Sequence, residues 1–198
     1  MVYCGWEGAE KNSPLQNIFF MYPAVNDKAS PSFIIREALP ADVPALAALH
    51  VKTFHETHGN YPNSPTYAIR EYQWRQAFEG PNNWFCFVIE NENPELIGFT
   101  KGIPYNHNDL PDFSGELNKI YLLRAYQKLG LGRRLLGHVS RRFLSQGISS
   151  MLLFGDAKNP SNGFYEALGA EKLFSKTKEF HGGYGWRNLK ALADICPI

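Results

Sequence analysis

In the 198-residue chain, the segment with the densest chemistry is Gln127-Lys128-Leu129-Gly130-Leu131-Gly132-Arg133. Its glycines lie where a β-like run, Tyr121-Leu122-Leu123, gives way to an amphipathic one. There the backbone can close on an anion with no Cβ in the way. The unpaired N–H groups of a helix start would point at the anion's oxygens. Arg133 and Arg134 add positive charge to the first turn, where the helix dipole alone favours acids, and that reversal suits a pyrophosphate. Two other phosphate cradles do not fit. A dinucleotide fingerprint needs glycine at 135, where Leu135 stands, and a P-loop needs Lys-Ser or Lys-Thr after Gly137, where His138 and Val139 follow. Read alone, the six residues Gln127–Gly132 are equally a glycine-rich helix start without a ligand.

His55-Glu56-Thr57-His58 stops one residue short of the zinc motif HExxH, whose histidines sit four apart on one helical face with the glutamate as base. Here the histidines are three apart at a helix end, and His50 is the only nearby third candidate. Structural or substrate-facing histidines are expected, and no metal. Cys4, Cys86 and Cys196 lie far apart without a CxxC pair. Their odd number argues against a disulfide framework and for a reducing compartment.

Periodicity places these groups on elements. Phe33–Ala38 reads as a short strand, leading into a helix with Val43, Leu46, Ala47, His50 and Phe54 on one face. Thr66–Phe78 is a second helix. Trp84–Glu90 and Leu96–Ile103 are strands joined by the turn Asn91-Glu92-Asn93-Pro94. Glu116–Leu123 is another strand, running directly into the glycine turn and a helix with Leu131, Leu135, Leu136, Val139 and Phe143 inward. Ser150–Phe154 is a strand. Asn159-Pro160 opens a helix as N-cap and N1, and Gly169 stops it. Two final strands, about Glu171–Phe180 and Tyr184–Leu189, pivot on Gly182-Gly183. The order βααβββαβαββ predicts an α/β domain: a mixed, mostly antiparallel sheet of about seven strands flanked by helices over 31–198. Residues 1–30 show neither period and read as an extension, with Met21 a candidate alternative start.

Composition sets the bounds. The 20 Lys+Arg against 19 Asp+Glu leave +1, too little to hold nucleic acid or an anionic membrane non-specifically. With 44% hydrophobic residues and 14 Phe, the chain has the material for one packed domain. The apolar run Ile18–Val25 is eight residues long and contains Pro23, too short to span a bilayer. A cytoplasmic protein is expected.

The glycine turn Gln-x-x-Gly-x-Gly resembles motif A of the GNAT superfamily of acyl-coenzyme A-dependent N-acetyltransferases. Three further parts agree with that family over about Phe33 to Leu189. They are the first strand and helix, the Glu116-Leu-Asn-Lys-Ile-Tyr-Leu-Leu123 strand, and Asn159-Pro-Ser-Asn-Gly-Phe-Tyr165-Glu-Ala-Leu-Gly169. The resemblance implies transfer of an acetyl group from acetyl-CoA to an amine, which is nucleophilic only when neutral. A base is therefore needed, and Glu116 stands where many relatives carry one. Strand alternation predicts Glu116, Asn118, Ile120 and Leu122 on one face; the other reading of Glu116 is a solvated strand charge. Tyr165 matches the family's tyrosine that protonates the leaving thiolate, although Phe164, Tyr165 and Leu168 also make an ordinary packed stripe. The Leu122 N–H would polarise the thioester carbonyl, and Ile120, Tyr121 and Leu122 would pair with the pantetheine arm as a strand does. Gln127, Lys128, Leu129, Gly130, Leu131, Gly132 and Arg133 would hold the pyrophosphate. Asn159 and Phe164 would touch the coenzyme, though Asn159 is also explained as a cap.

The acceptor is read from loops. His55–Pro65 and Pro104–Phe113 would flank it, the second carrying Asp109 and Asp112 and no Lys or Arg. With Glu56 and Glu116 they predict an acidic mouth. The wording of the cradle and of Tyr184-Gly185-Trp186-Arg187 is similar to bacterial small-amine acetyltransferases of polyamine type. A small cationic amine is thus the expected partner. A protein or peptide amino group is the runner-up, and a non-catalytic acyl-CoA sensor is the rival from another class. Relatives often pair, so a homodimer is expected.

Overall fold

The computed structural model describes residues 32–59, 61–81 and 83–198; the extension expected over 1–30 lies outside the described residues. Strand β1 (Ile34–Glu37) leads through a 3₁₀ turn into helix α1 (Val43–His58), and α2 (Tyr67–Glu79) follows. Next come β2 (Phe85–Glu90), β3 (Leu96–Pro104) and β4 (Gly115–Leu122), then a 3₁₀ turn at Arg124–Tyr126 and α3 (Leu131–Ser145). The chain continues as β5 (Met151–Phe154), α4 (Asn162–Ala167), β6 (Glu171–Phe174), β7 (Phe180–Trp186) and α5 (Leu189–Ile195).

The strands form one seven-stranded sheet in the order β1-β2-β3-β4-β5-β7-β6. Every pairing is antiparallel except β4 with β5, which is parallel and holds for two residue pairs, Gly115 with Met151 and Glu116 with Leu152. Helix α3 covers the face bearing Phe85, whose ring stands 4.9 Å from that of Phe143. Its Leu135, Leu136, Val139 and Phe143 are fully buried, as the 3.6-residue period requires. Helices α1 and α2 cover the other face, where His50 and Trp74 meet Phe99 at 5.1 and 5.7 Å.

Three expectations about the C-terminal third are corrected. The last hairpin does not turn at Gly182-Gly183; it turns at Ser175–Glu179, closed by the Ser175 N–H to the Glu179 carbonyl at 2.9 Å. Both glycines lie inside β7 because neighbours crowd them: a Cβ on Gly182 would sit 2.5 Å from the Gly155 carbonyl oxygen. Strand β7 also ends at Trp186, and Leu189 opens α5, a helix the strand reading overran. The Asn188 side chain caps it by accepting from the Ala191 N–H, and Leu189, Leu192, Ala193 and Cys196 are buried at helical spacing. Arg141 of α3 donates to the Ala193 and Cys196 carbonyls at 2.8 and 2.9 Å, pinning the end of α5. Finally, α4 starts at Asn162 with Ser161 at N-cap, not at Asn159. The Asn159 side chain accepts from the Ser161 N–H at 2.9 Å, making a turn before the helix.

Candidate active site

The site originates in an irregularity of β4. Lys101 opposes Lys119 but Gly102 opposes Leu117, so Asn118 is an extra residue and β4 is bulged there. Just before the bulge β4 leaves β5, and beyond Glu116 the two strands diverge. The resulting gap is a cleft of about 650 Å³, within the usual range for ligand sites.

The bulge also corrects the face assignment. Residues directly opposite in an antiparallel pair share a face. Glu116 opposes Ile103, while Ile120 and Leu122 oppose Thr100 and Gly98. Glu116, Lys119 and Tyr121 therefore face α1 and α2, whereas Leu117, Ile120 and Leu122 face α3. Simple alternation failed because one inserted residue exchanges the two sides. Glu116 is absent from the cleft lining; it sits at the apex, its Oε1 accepting from Asn118 Nδ2 at 2.7 Å.

Backbone polarity follows from the same register. The Leu123 N–H bonds the Ile97 carbonyl at 2.9 Å, and bonded and non-bonded pairs alternate along an antiparallel ladder. The N–H groups of Leu122 and Ile120 accordingly point away from β3, into the gap. Gln127 Nε2 donates to the Leu122 carbonyl at 3.1 Å, bracing that strand end.

At the wide end stands the N-terminus of α3. Lys128 and Gly130 adopt φ of +63° and +79°, turning the chain so that the Leu131, Gly132 and Arg133 amides precede the first helical bond, Arg134 N–H to Gly130 O. No described side chain caps them. A Cβ on Gly130 would meet nothing within 4 Å, while one on Gly132 would approach the Phe164 ring at 3.2 Å, so that glycine is fixed by helix contact. The structure thus brings Ile120, Tyr121, Leu122, Gln127, Lys128, Gly130, Gly132, Arg133, Asn159, Phe164 and Tyr165 to one cleft. Leu129 instead lies in solvent, and the Leu131 side chain is buried in the core. Sequence reasoning missed Asn118 and Lys119 on the bulge and the Phe154-Gly155-Asp156 wall contributed by β5, whereas His58, from the segment expected to flank the acceptor, does line the cleft. Only the bulge itself, which no sequence signal marked, could have exposed the first two.

Tyr165 projects from α4 with its ring 5.5 Å from Tyr184 and 6.2 Å from Trp186. Burial, then Tyr121 and Tyr184, push its phenol up to about 12, so it remains a proton donor at neutral pH. The near-zinc segment has a different employment. Glu56 accepts the Arg124 N–H at 2.8 Å and its carbonyl takes the Arg124 guanidinium, tying the end of α1 to the chain entering the cradle. Burial pushes the Cys86 thiol up to about 12, leaving it inert.

The acidic mouth is largely paired. Arg187 bridges Asp112 at 2.7 Å and Glu171 at 2.8 Å, and Lys176 approaches Asp109 at 3.9 Å.

The split sheet and the open helix start define the class of architecture. A PaiA N-acetyltransferase from Thermoplasma acidophilum, solved in complex with coenzyme A, superposes with a TM-score of 0.60 at 18% identity, covering 78% of this chain and 98% of that one. The acetyltransferase (GNAT) family model matches residues 44–170. The uncharacterized N-acetyltransferase YuaI of Bacillus subtilis (strain 168) is 32% identical over 173 residues, 81% of this chain and 96% of YuaI. Phosphinothricin N-acetyltransferase of Streptomyces viridochromogenes is 24% identical over 156 residues, 76% of this chain and 81% of that enzyme. The chain belongs to the GNAT acetyltransferase family, and it is an N-acetyltransferase.

Proposed function

We propose that the cleft takes acetyl-CoA and passes the acetyl group to a primary amine by direct attack. One observation carries this reading: the gap between β4 and β5 opens onto the uncapped amides of α3. The amides of Leu131 to Arg133, with Lys128, face the pyrophosphate. Ile120 and Leu122 supply ladder-type N–H groups to the pantetheine arm, and the Leu122 N–H polarises the thioester carbonyl. The Thermoplasma relative's coenzyme supports the choice of ligand.

Glu116 accepts the amine proton. From the apex its carboxylate reaches the nucleophile through water, since the cleft lining excludes it from direct contact. As the nitrogen–carbon bond forms and the carbon–sulfur bond breaks, Tyr165 gives its phenolic proton to the departing sulfur and recovers one from solvent.

The acceptor implied by the sequence resemblance is a small cationic amine of polyamine type. Its support was the acidic mouth, whose Asp112 and Glu56 now have partners of their own. Among the described residues Glu116 and the cleft-wall Asp156 form no ion pair, and Glu116, at the apex, remains to attract the ammonium group.

Calorimetry with coenzyme A and acetyl-CoA, together with a thiol-release screen over cationic, zwitterionic and peptide amines, tests the reading. Coenzyme binding with amine-dependent thiol release is expected. Glu116→Gln and Tyr165→Phe should each lower turnover 10-fold or more, positioned proton transfer contributing ~10²–10⁴. Binding without release for any amine would favour the acyl-CoA sensor.

A further inference from the structure

The α1 and α2 face of the sheet holds three basic side chains that the acetyl-transfer machinery does not use. Lys119 lines the cleft. Lys101 lies opposite it on β3 and shares its face. Arg70 of α2 sits over the Phe54 ring at 5.7 Å, and Phe54 in turn packs at 4.8 Å on His58, another cleft residue.

All three are half-buried, and among the described residues none forms an ion pair with a carboxylate. Lys101 is compensated by the faces of Trp84 and Trp74, at 4.8 and 5.6 Å. Lys119 has only the Asn118 amide oxygen, at 3.0 Å. Arg70 spends one nitrogen on Gln73 Oε1 at 2.9 Å, and its buried Nε has no partner among the described residues. Clustered, desolvated cations repel one another and are costly without a counter-ion. Burial, then Lys101 and Arg70, hold the Lys119 amine below its ordinary value, and only Glu116 among its charged neighbours opposes them, apart from the neutral, inert Cys86 thiol. The arrangement lacks an anion, and Lys119, which lines the cleft at the bulge three residues from Glu116, gives a bound anion access to it.

We infer that the acceptor is an aminocarboxylate: its amine turns to the Glu116 apex, and its carboxylate is received by Lys119 with Arg70 behind it. A zwitterion satisfies both ends, matching ammonium to Glu116 and carboxylate to the cations. A polyamine would place several positive charges against Lys119, Lys101 and Arg70. This inference rests on the acetyl-transfer reading, in which the coenzyme is held by the backbone of Ile120 and Leu122 and the α3 amides, with Lys119 in the same cleft left to the acceptor.

The full chain is assayed with saturating acetyl-CoA against amino acids, each beside its own carboxamide, with spermidine as the cationic control. For the best acceptor, kcat/KM should favour the acid over the amide by about 10-fold or more, the expectation for one charge-assisted contact. Lys119→Met should raise the acid's KM about 10-fold, raise the amide's KM much less, and be partly rescued by Lys119→Arg. Arg70→Gln should act in the same direction, more weakly. Equal use of acid and amide, preference for spermidine, or a Lys119→Met effect common to acid and amide would overturn the inference. So would coenzyme binding without acetylation of any aminocarboxylate. Failure to bind the coenzyme would sink the acetyl-transfer reading instead.

Discussion

His50 lies on α1 with only 2% of its surface exposed, against Phe99, Tyr121 and Trp74. Burial first, then Arg70, Lys119 and Lys101, push its imidazole down to about 3 from 6.5. The unfolded chain therefore takes up this proton before the folded one. Its contribution to stability is whole above about pH 6.5 and declines as the pH falls toward 3, by up to ~1.4 kcal/mol per pH unit. Urea titrations at pH 7 and pH 5 should show a loss in the wild type that a His50→Phe variant does not share. At the same scale the sequence grouped Tyr165 with the glycine turn, and Tyr165, Gln127, Lys128, Gly130, Gly132 and Arg133 do border one cleft, while Leu129 and Leu131 do not. It was uninformative about Lys119, because an isolated lysine in a strand carries no pattern until its neighbours are assembled around it.

Among the elements, β4 decides the geometry of the site, and its bulge explains both the separation from β5 and the turning of Glu116 toward α1 and α2. Alternation recognised the strand but not the insertion, since the burial pattern through Glu116–Leu122 is nearly uniform. The missed helix α5 had its signals, Asn188 and the spacing of Leu189, Leu192, Ala193 and Cys196; they followed so closely on Trp186 that they read as more strand. Strand β7 offers a sharp test. A Cβ at Gly182 would stand 2.5 Å from the Gly155 oxygen and 2.6 Å from the Asp156 carbon, both in a cleft wall, at a φ of +93°. Gly182→Ala should cost roughly 2–4 kcal/mol in denaturant unfolding and weaken coenzyme binding, because strain and overpacking act together. Gly130→Ala meets no atom within 4 Å despite its φ of +79°. It should cost only ~1 kcal/mol, the left-handed penalty alone.

For the whole molecule, the sequence order of strands and helices from Phe33 onward was largely legible because long periodic stretches such as α1 and α3 leave few alternatives. The parallel contact between β4 and β5 was not, since pairing across 36 residues has no local signature. No described helix is long and apolar enough to cross a membrane. A ligand that binds only the folded chain stabilises it by about 2.7 kcal/mol at one hundred times its Kd. Coenzyme A should accordingly raise the Tm in proportion to the logarithm of its concentration, and scanning calorimetry over a hundredfold range would register it. Only two ladder pairs join β1–β4 to β5–β7–β6. The sheet is consequently compliant along that seam, like a book held by a short stretch of its spine. The Phe154 amide, which the β5–β7 register turns toward the gap, ought to trade its hydrogen with solvent faster than the amides of β3, and a molecule laid between the leaves ought to slow that trade.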